Sequence, residues 1–509
     1  MPEQLNVHSY SKGCFFESLN DIKNKHIVVM GLGLNGGGEA VVRFLLNHGA
    51  FVIATDTKTE YELKNTIDSI ENDKTVDKSR LIYRLGGHKI EDFENADCVI
   101  KNPGIKYKDN KFLKISKAIE TDISLFLHFS KSPIIAVTGS KGKSSTASAI
   151  YYGLKQSGFN AFLGGNITVS PLTFLEKTDE TTPVVLELSS WQLADLRGRK
   201  LLKPKISVIT KIVPDHQNFY HSMLAYVNDK KLIYADQTET DFAIFDFDSD
   251  SSADGGTLIN NWGQIFTKEC KAKVFRYSKT QLPQDVLGVW QDNNGVGKVH
   301  LSMDSKTETI LKNLTVPGKH MRANVLNAAL VLRLMGVSCE RIVKIFEHWN
   351  GIEHRLELFH ECKINNTIYR FYNDSAATVP EAVVEATRAF GRPVYLLTGG
   401  TDKGLDLTLI ANNICNNGQN IIPKDIYLLA GSASDKMAID FKVKGIKYKG
   451  MFNSLDEMLA SLKDDLEKTK DSNGVQIVVF SPGATSFGMF KNEFDRGNLF
   501  KTKVKSIFK

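Results

Sequence analysis

The residues best equipped for chemistry are Thr138-Gly139-Ser140-Lys141-Gly142-Lys143-Ser144-Ser145. They lie between the apolar run Pro133-Ile134-Ile135-Ala136-Val137 and the helix-like Ala147-Ser148-Ala149-Ile150-Tyr151-Tyr152. A strand ending in a glycine-bearing turn and then a helix presents backbone N–H groups and a helix N-terminus to an anion. A Lys adds a point charge, and a Ser hydroxyl can reach Mg2+. The general phosphate-loop pattern has a longer gap between its glycines; here only Ser140 and Lys141 separate Gly139 from Gly142. An ordinary turn before a helix would carry similar letters, so the neighbouring residues matter. Glu187 closes the apolar run Pro183-Val184-Val185-Leu186, and His216 follows Ile206-Ser207-Val208-Ile209 by way of Pro214-Asp215. Each alone fits a surface acid or a hydrogen-bonded structural imidazole; together with the loop they occupy the carboxyl ends of strands, where ligands gather in a parallel sheet. A second glycine cluster, Gly31-Leu32-Gly33-Leu34-Asn35-Gly36, follows the strand-like Lys25–Met30 and precedes a helical pattern over 39–48. The next apolar run, Phe51–Thr55, ends at Asp56, about 20 residues past those glycines, where an acid can take ribose hydroxyls.

These residues need a scaffold, and the 509 residues suffice for about three domains at roughly 150 residues each. Apolar runs that end in small or polar residues alternate with helical patterns along the whole chain. That pattern predicts an α/β protein of three domains. A Rossmann-like unit is expected over 1–122, a central phosphate-loop ATPase-type unit with a mostly parallel sheet over 123–350, and a Rossmann-like unit over 351–509. Locally, 112–119 reads as helix-like, 246–262 as a loop or turn, 273–315 as a small meander and 322–335 as a helix. The lysines of Lys442–Lys449 read as solvated strand ends. Hydrophobic residues make up 42% and charged residues 24%, an ordinary globular composition. A net charge of +6 carried on dispersed lysines does not call for nucleic acid. Cys14, Cys98, Cys270, Cys339, Cys362 and Cys415 are scattered without CxxC pairs. Reduced thiols in a cytoplasmic protein fit that spacing better than a disulfide frame or zinc site. The N-terminus shows no basic-then-apolar leader and no apolar run approaches about 18 residues, so neither secretion nor a membrane span is expected.

The motifs in order resemble the Mur ligases, the ATP-dependent amino-acid ligases of peptidoglycan precursor synthesis. The resemblance rests on the two glycine clusters, Asn102-Pro103-Gly104-Ile105, Gly164-Gly165-Asn166-Ile167, Glu187-Leu188-Ser189-Ser190-Trp191-Gln192-Leu193, Asp215-His216 and Gly351–Arg355. It continues through Asn373-Asp374-Ser375-Ala376-Ala377-Thr378, Gly399–Gly404, Ser481–Ser486 and Phe490–Gly497. It runs almost end to end and is nearest to the member that adds D-glutamate to UDP-N-acetylmuramoyl-L-alanine. In such a reaction a substrate carboxylate attacks the γ-phosphate of ATP. The amine of the incoming amino acid then displaces phosphate from the acyl phosphate, a route that rests on charge neutralisation.

The resemblance implies roles for individual residues. Gly139, Ser140, Lys141, Gly142, Lys143, Ser144 and Ser145 would bind ATP phosphates, with Lys143 on the transferring group. Asn324, Arg355 and Asp374 would hold adenine and ribose, placing ATP between the second and third units. Ser144 and Glu187 would bind one Mg2+; His216 and a carbamylated Lys230 would serve a second. Lys230 is chosen by its spacing from Tyr226, with Lys231 as the fallback. Leu34, Asn35, Asp56, Thr57, Asn166 and Ser189 would take the UDP-substrate, and Thr378, Lys403, Ser486 and Phe487 the glutamate. The implied partners are these small molecules only, with neither nucleic acid nor membrane, and a monomer is expected.

Several positions depart from the family pattern. Ala376 stands where many relatives of this type carry Lys, Asn102 where Ser is usual, Met321 where Asn is frequent, and Glu493 beside Phe494 where an aromatic often stands. Ala376 leaves ligation of L-glutamate open. From another class, an NAD(P)-dependent oxidoreductase could use residues 26–56, but it leaves Lys143, Glu187 and His216 without a role. A folylpolyglutamate synthase would resemble only the last two units, and a silent nucleotide-binding regulator would bind ATP without releasing phosphate.

Overall fold

Three sheets organise the chain in this computed structural model, which describes residues 13, 16–34, 36–167, 169–248, 261–415, 422–469 and 474–509. The first contains β1 (His26–Met30), β2 (Phe51–Asp56), β3 (Leu81–Leu85), β4 (Cys98–Lys101) and β5 (Ile119–Glu120). Its order is β3-β2-β1-β4-β5, parallel throughout. A parallel sheet covered on both faces needs strands that are apolar on both sides, and Ile27-Val28-Val29-Met30 is buried without alternation. The helix Gly37–Asn47 turns Val41, Val42, Phe44, Leu45 and Leu46 inward at helical spacing. These side chains join Ile27, Val29, Val52 and Ala54 in one core, each large one contributing roughly 1.5–3 kcal/mol by burial. Gly38 is required where this helix meets the turn, because a Cβ there would lie 2.3 Å from the Leu32 carbonyl oxygen.

The second sheet has nine strands: β6 (Ile134–Thr138), β7 (Phe162–Gly165), β8 (Val184–Glu187), β9 (Ile206–Ile209), β10 (Phe242–Asp246), β11 (Lys273–Ser278), β12 (Gly288–Gln291), β13 (Gly297–His300) and β14 (Glu308–Leu311). Its order is β14-β13-β12-β11-β10-β9-β6-β8-β7, with only the β12-β13-β14 edge antiparallel. The third sheet orders β15 (Glu357–Ile364), β16 (Thr367–Asn373), β20 (Val475–Phe480), β17 (Tyr395–Gly399), β18 (Asp425–Leu429) and β19 (Lys449–Phe452), with β15 alone antiparallel to its neighbour. The α/β class with three parallel or mixed sheets is as the sequence implies. One compact unit comprises the chain to Lys312 with Ala323–Ile345, and a second comprises Asn313–Arg322 with Phe346–Lys509.

Some local expectations need correction. The helix-like stretch from Phe112 ends at Ile115, after which Ser116 is extended and Ile119-Glu120 pairs with Val99-Ile100 as β5. Sheet pairing with a buried neighbour outweighs helix propensity there. Of the lysines in 442–449, Lys442 lies in the last turn of the helix Ser432–Val443, and only Lys449 lies on a strand. The predicted meander exists, but β11 joins β12 in parallel. The helix expected over 322–335 spans Lys319–Leu334. Most of 246–262 lies outside the described residues.

Candidate active site

In open parallel sheets, ligands gather at the carboxyl ends of strands where the winding direction reverses. In the second sheet this place lies around β6, flanked by β8 and β9. Gly142 caps the helix Lys143–Gln156 at φ +94, and a Cβ there would meet Asn324 Oδ1 at 2.4 Å. Asn324 is thereby packed onto the loop. Ser140 Oγ donates to the Val213 carbonyl (2.8 Å) and accepts from the Val213 N–H (3.0 Å) and the Tyr226 hydroxyl (3.0 Å). Thr210 Oγ1 reaches the Lys141 carbonyl at 2.8 Å. The loop is therefore clamped to the segment following β9. Lys143 Nζ donates to the Gly139 and Ser140 carbonyls, both at 3.0 Å. Ser144 and Ser145 follow in the first helical turn, half-buried.

Lys230 approaches the same loop from the helix Met223–Lys231, its Nζ 2.8 Å from the Gly139 carbonyl and 4.6 Å from the Tyr226 ring centre. Only 1% of Lys230 is exposed. Burial holds its ammonium down to about 7, with the Lys143 charge pushing the same way and Asp215, Asp229 and Glu187 opposing. Lys231, the fallback, turns outward and pairs with Glu269 at 2.8 Å.

Glu187, at the end of β8, accepts from Asn166 Nδ2 (2.8 Å) through Oε1, while its buried Oε2 has no hydrogen-bond partner. An unpartnered buried carboxylate oxygen is costly, and a hard, oxygen-seeking cation would offset that cost. The donor set around the loop therefore fits Mg2+. His216 is half-exposed, adopts φ +52, and stacks obliquely at 5.0 Å from the Trp191 ring. No cluster of three or more His, Cys, Asp or Glu able to hold a metal occurs among the described residues.

A cleft of about 930 Å³ opens between the glycine turn after β1 and the turn after β4, the reversal point of the first sheet. Leu34, Asp56, Thr57, Asn166 and Ser189 all line it. Asn35 lies outside the described residues. Asp56 Oδ2 accepts the Gly33 N–H (3.0 Å) and Oδ1 the Lys58 N–H (2.9 Å), so this acid shapes the turn as well as facing the cleft. Sequence reasoning missed His88, Lys111, Asp122, Ser170 and Trp191 in the same wall. None belongs to a spaced motif except Trp191, inside Glu187–Leu193, which carried no assigned role.

The second unit gathers its own set. Asp374 accepts from the Ser481 hydroxyl (2.7 Å) and the Leu356 N–H (3.1 Å); burial nevertheless pushes its carboxyl up to about 7, against these bonds and the charge of exposed Arg355. Lys403 Nζ lies 3.4 Å from Thr378 Oγ1, while Ser486 is buried and Phe487 is exposed. Arg496, fully buried, was part of a sequence motif but had no assigned role. It donates to the Ser375 hydroxyl and carbonyl and to the Ala484 carbonyl, tying the loops after β16 and β20 together.

Residues 25–126 match the Mur ligase MurD-like N-terminal domain, and residues 137–332 the Mur ligase middle domain. The UDP-N-acetylmuramoylalanine–D-glutamate ligase of Treponema pallidum is 37% identical over 96% of this chain and 98% of its own. The chain belongs to the Mur ligase family. The Borreliella afzelii ligase of the same name is also 37% identical, over 96% of this chain and 99% of its own. Among solved Mur ligases, MurC of Thermotoga maritima superposes with a TM-score of 0.52 at 17% identity, covering 95% of this chain and 100% of that one; this shows a shared fold. No described helix is long and apolar enough to cross a membrane.

Proposed function

We infer that this chain is a Mur ligase that joins D-glutamate to UDP-N-acetylmuramoyl-L-alanine at the expense of ATP (EC 6.3.2.9), a step of peptidoglycan precursor synthesis. The observation that carries the mechanism is the meeting of the Lys143 and Lys230 ammonium groups at one loop carbonyl beside the unpartnered oxygen of Glu187. Such a site is built for clustered anions. The alanyl carboxylate of the substrate attacks the γ-phosphorus of ATP and ADP departs. The glutamate amine, having lost its proton, then attacks the acyl carbonyl and phosphate leaves. Lys143 neutralises the charge that builds on the transferring phosphoryl oxygens.

Ser144, Glu187, His216 and Lys230 are the residues proposed to hold Mg2+, which when bound supplies further neutralisation of phosphate charge. Lys230 suits carbamylation: only a neutral amine attacks carbon dioxide, and burial already favours that form. The product is an anion that would replace a buried cation by a metal ligand. Asn324, Arg355 and Asp374 keep the nucleotide role. Leu34, Asn35, Asp56, Thr57, Asn166 and Ser189 keep the UDP-substrate role, and Thr378, Lys403, Ser486 and Phe487 the glutamate role. The oxidoreductase reading finds no such use for the loop lysines.

The test is phosphate release from ATP with Mg2+ and UDP-N-acetylmuramoyl-L-alanine, with D-glutamate, L-glutamate or neither. Release should require D-glutamate; release with L-glutamate alone would replace the amino acid, and no substrate-dependent release from folded protein would remove the ligase reading. Mass analysis of native protein, before and after acid treatment, should reveal one labile carbon dioxide adduct.

A further inference from the structure

Beneath the cleft of the first sheet lies polar machinery that no role described so far employs. Asp122 opens the helix Asp122–Phe129, and Ser170 precedes the short turn Pro171–Thr173. Both line the cleft. Ser170 is 4% exposed, and its Oγ and the buried Asp122 Oδ1 each lack a well-formed hydrogen bond, although Ser170 and the Ile123 N–H lie near enough to the Asp122 carboxyl to favour its charged form. Two buried polar atoms left incompletely satisfied in one wall, Asp122 Oδ1 and Ser170 Oγ, are costly to the free protein. Natural proteins tolerate such groups where a ligand completes them.

We propose that Asp122 and Ser170 form a subsite that reads hydrogen-bond donors on the sugar portion of the UDP-substrate, making Asp122 a specificity-determining residue. The proposal rests on the substrate class inferred above and assigns the two residues to its hexosamine rather than its nucleotide. The chemistry separates these alternatives. A carboxylate beside a diphosphate repels it, and the Gly31–Gly38 turn already supplies backbone N–H groups to an anion. Asp56 and Thr57 occupy the part of the cleft after β2 suited to ribose and base. An amino sugar instead presents an amide N–H and free hydroxyls, the donors that the incompletely satisfied carboxylate oxygen lacks.

The surroundings keep Asp122 suited to this role. Burial pushes its carboxyl above the usual carboxylate range, with Ser170 and the first N–H groups of its helix pulling down and Asp195 adding a smaller push upward. Asp195 itself is paired with buried Lys101 at 2.7 Å, so that lysine is not the missing partner of Asp122. Placing the acid at a helix N-terminus fixes its backbone, so its oxygen is oriented before substrate arrives.

The experiment uses the full chain and titrates two probes by calorimetry, UDP alone and UDP-N-acetylmuramoyl-L-alanine. Asp122→Ala should weaken the whole substrate about 10- to 100-fold and UDP less than about 2-fold, the span expected for one hydrogen bond to a charged group. Asp122→Asn keeps an acceptor oxygen and should recover most of that affinity. Ser170→Ala should show the same selectivity with a smaller loss. In turnover the defect should fall on KM for the UDP-substrate, with kcat and KM for ATP held within about 2-fold. Equal losses for both probes, or none for either, would overturn the subsite and leave Asp122 as a helix-terminal acid. The binding arm does not depend on turnover. If wild-type protein binds neither probe, the inferred substrate falls before Asp122 is judged.

Discussion

The turn after β1 and the turn after β6 are built alike and charged differently. Each follows a buried parallel strand, uses glycines at positive φ, and feeds directly into a helix. The first, Gly31–Gly38, contains no cation; its shape is kept by Asp56, which takes the Gly33 N–H. The second carries Lys143 on its own helix and receives Lys230 from another, with both ammonium groups on the Gly139 carbonyl. Backbone N–H groups and a helix terminus suffice to seat an anion that only has to bind. The second turn adds to these two lysines and, beside them, a Glu187 oxygen without a hydrogen-bond partner, the charges that the proposed phosphoryl transfer would use. Local geometry sets where an anion sits; the surrounding charges set what happens to it.

The sharpest way to break this contrast is Lys143→Ala. It should lower kcat at least about 100- to 1,000-fold in the phosphate-release assay, as loss of one transition-state donor does. Calorimetry should find affinity for the UDP-substrate unchanged; a parallel fall would mean the two turns do not divide the work. On the first turn, Gly38→Ala should cost about 2 kcal/mol or more in urea unfolding, since backbone rather than a yielding side chain blocks its Cβ.

Asp56→Ala tests the quieter turn by activity. KM for the UDP-substrate should rise about 10-fold, with KM for ATP unaltered. A rise in both would show that the two turns are coupled. In the second unit, Asp374 offers a pH signature. Its folded pKa of about 7 lies above the usual carboxylate value, so the folded state binds more protons than the unfolded chain between about pH 4 and 7. Stability is therefore lost as pH rises through that window and stays lost above it. Asp374→Asn should remove the slope and melt above wild type at pH 8, with the gap narrowing toward pH 4. A gap that did not vary with pH would assign the effect to packing. The smallest effect belongs to Lys231→Ala, which should change turnover less than about 2-fold because Lys231 faces Glu269 at the surface.

Much of this site was legible as text. A glycine that can take positive φ, followed directly by Lys143, marks where the loop gives way to a helix. Glu187 and Asp56 had to close their strands, since a strand's end is where a parallel sheet exposes side chains to a ligand. The helix expected through Ile119 failed for the opposite reason: its residues suit either element, and pairing with β4 settled the choice. Lys230 and Lys231 are chemically equal neighbours in the sequence. They differ because one points at the Gly139 carbonyl in a dry interior and the other at a surface acid.

Sequence by itself determined the alternation of strands and helices in outline, the two glycine turns and the lysine that opens the helix after the second, because these depend on residue type and short spacing. Tertiary structure alone decided which lysine has its pKa lowered by burial, that Asn324 packs on Gly142 from far along the chain, and that Asp122 and Ser170 share an incompletely satisfied wall. Desolvation and hydrogen-bond satisfaction belong to a place in space, and the chain has no such place until it folds.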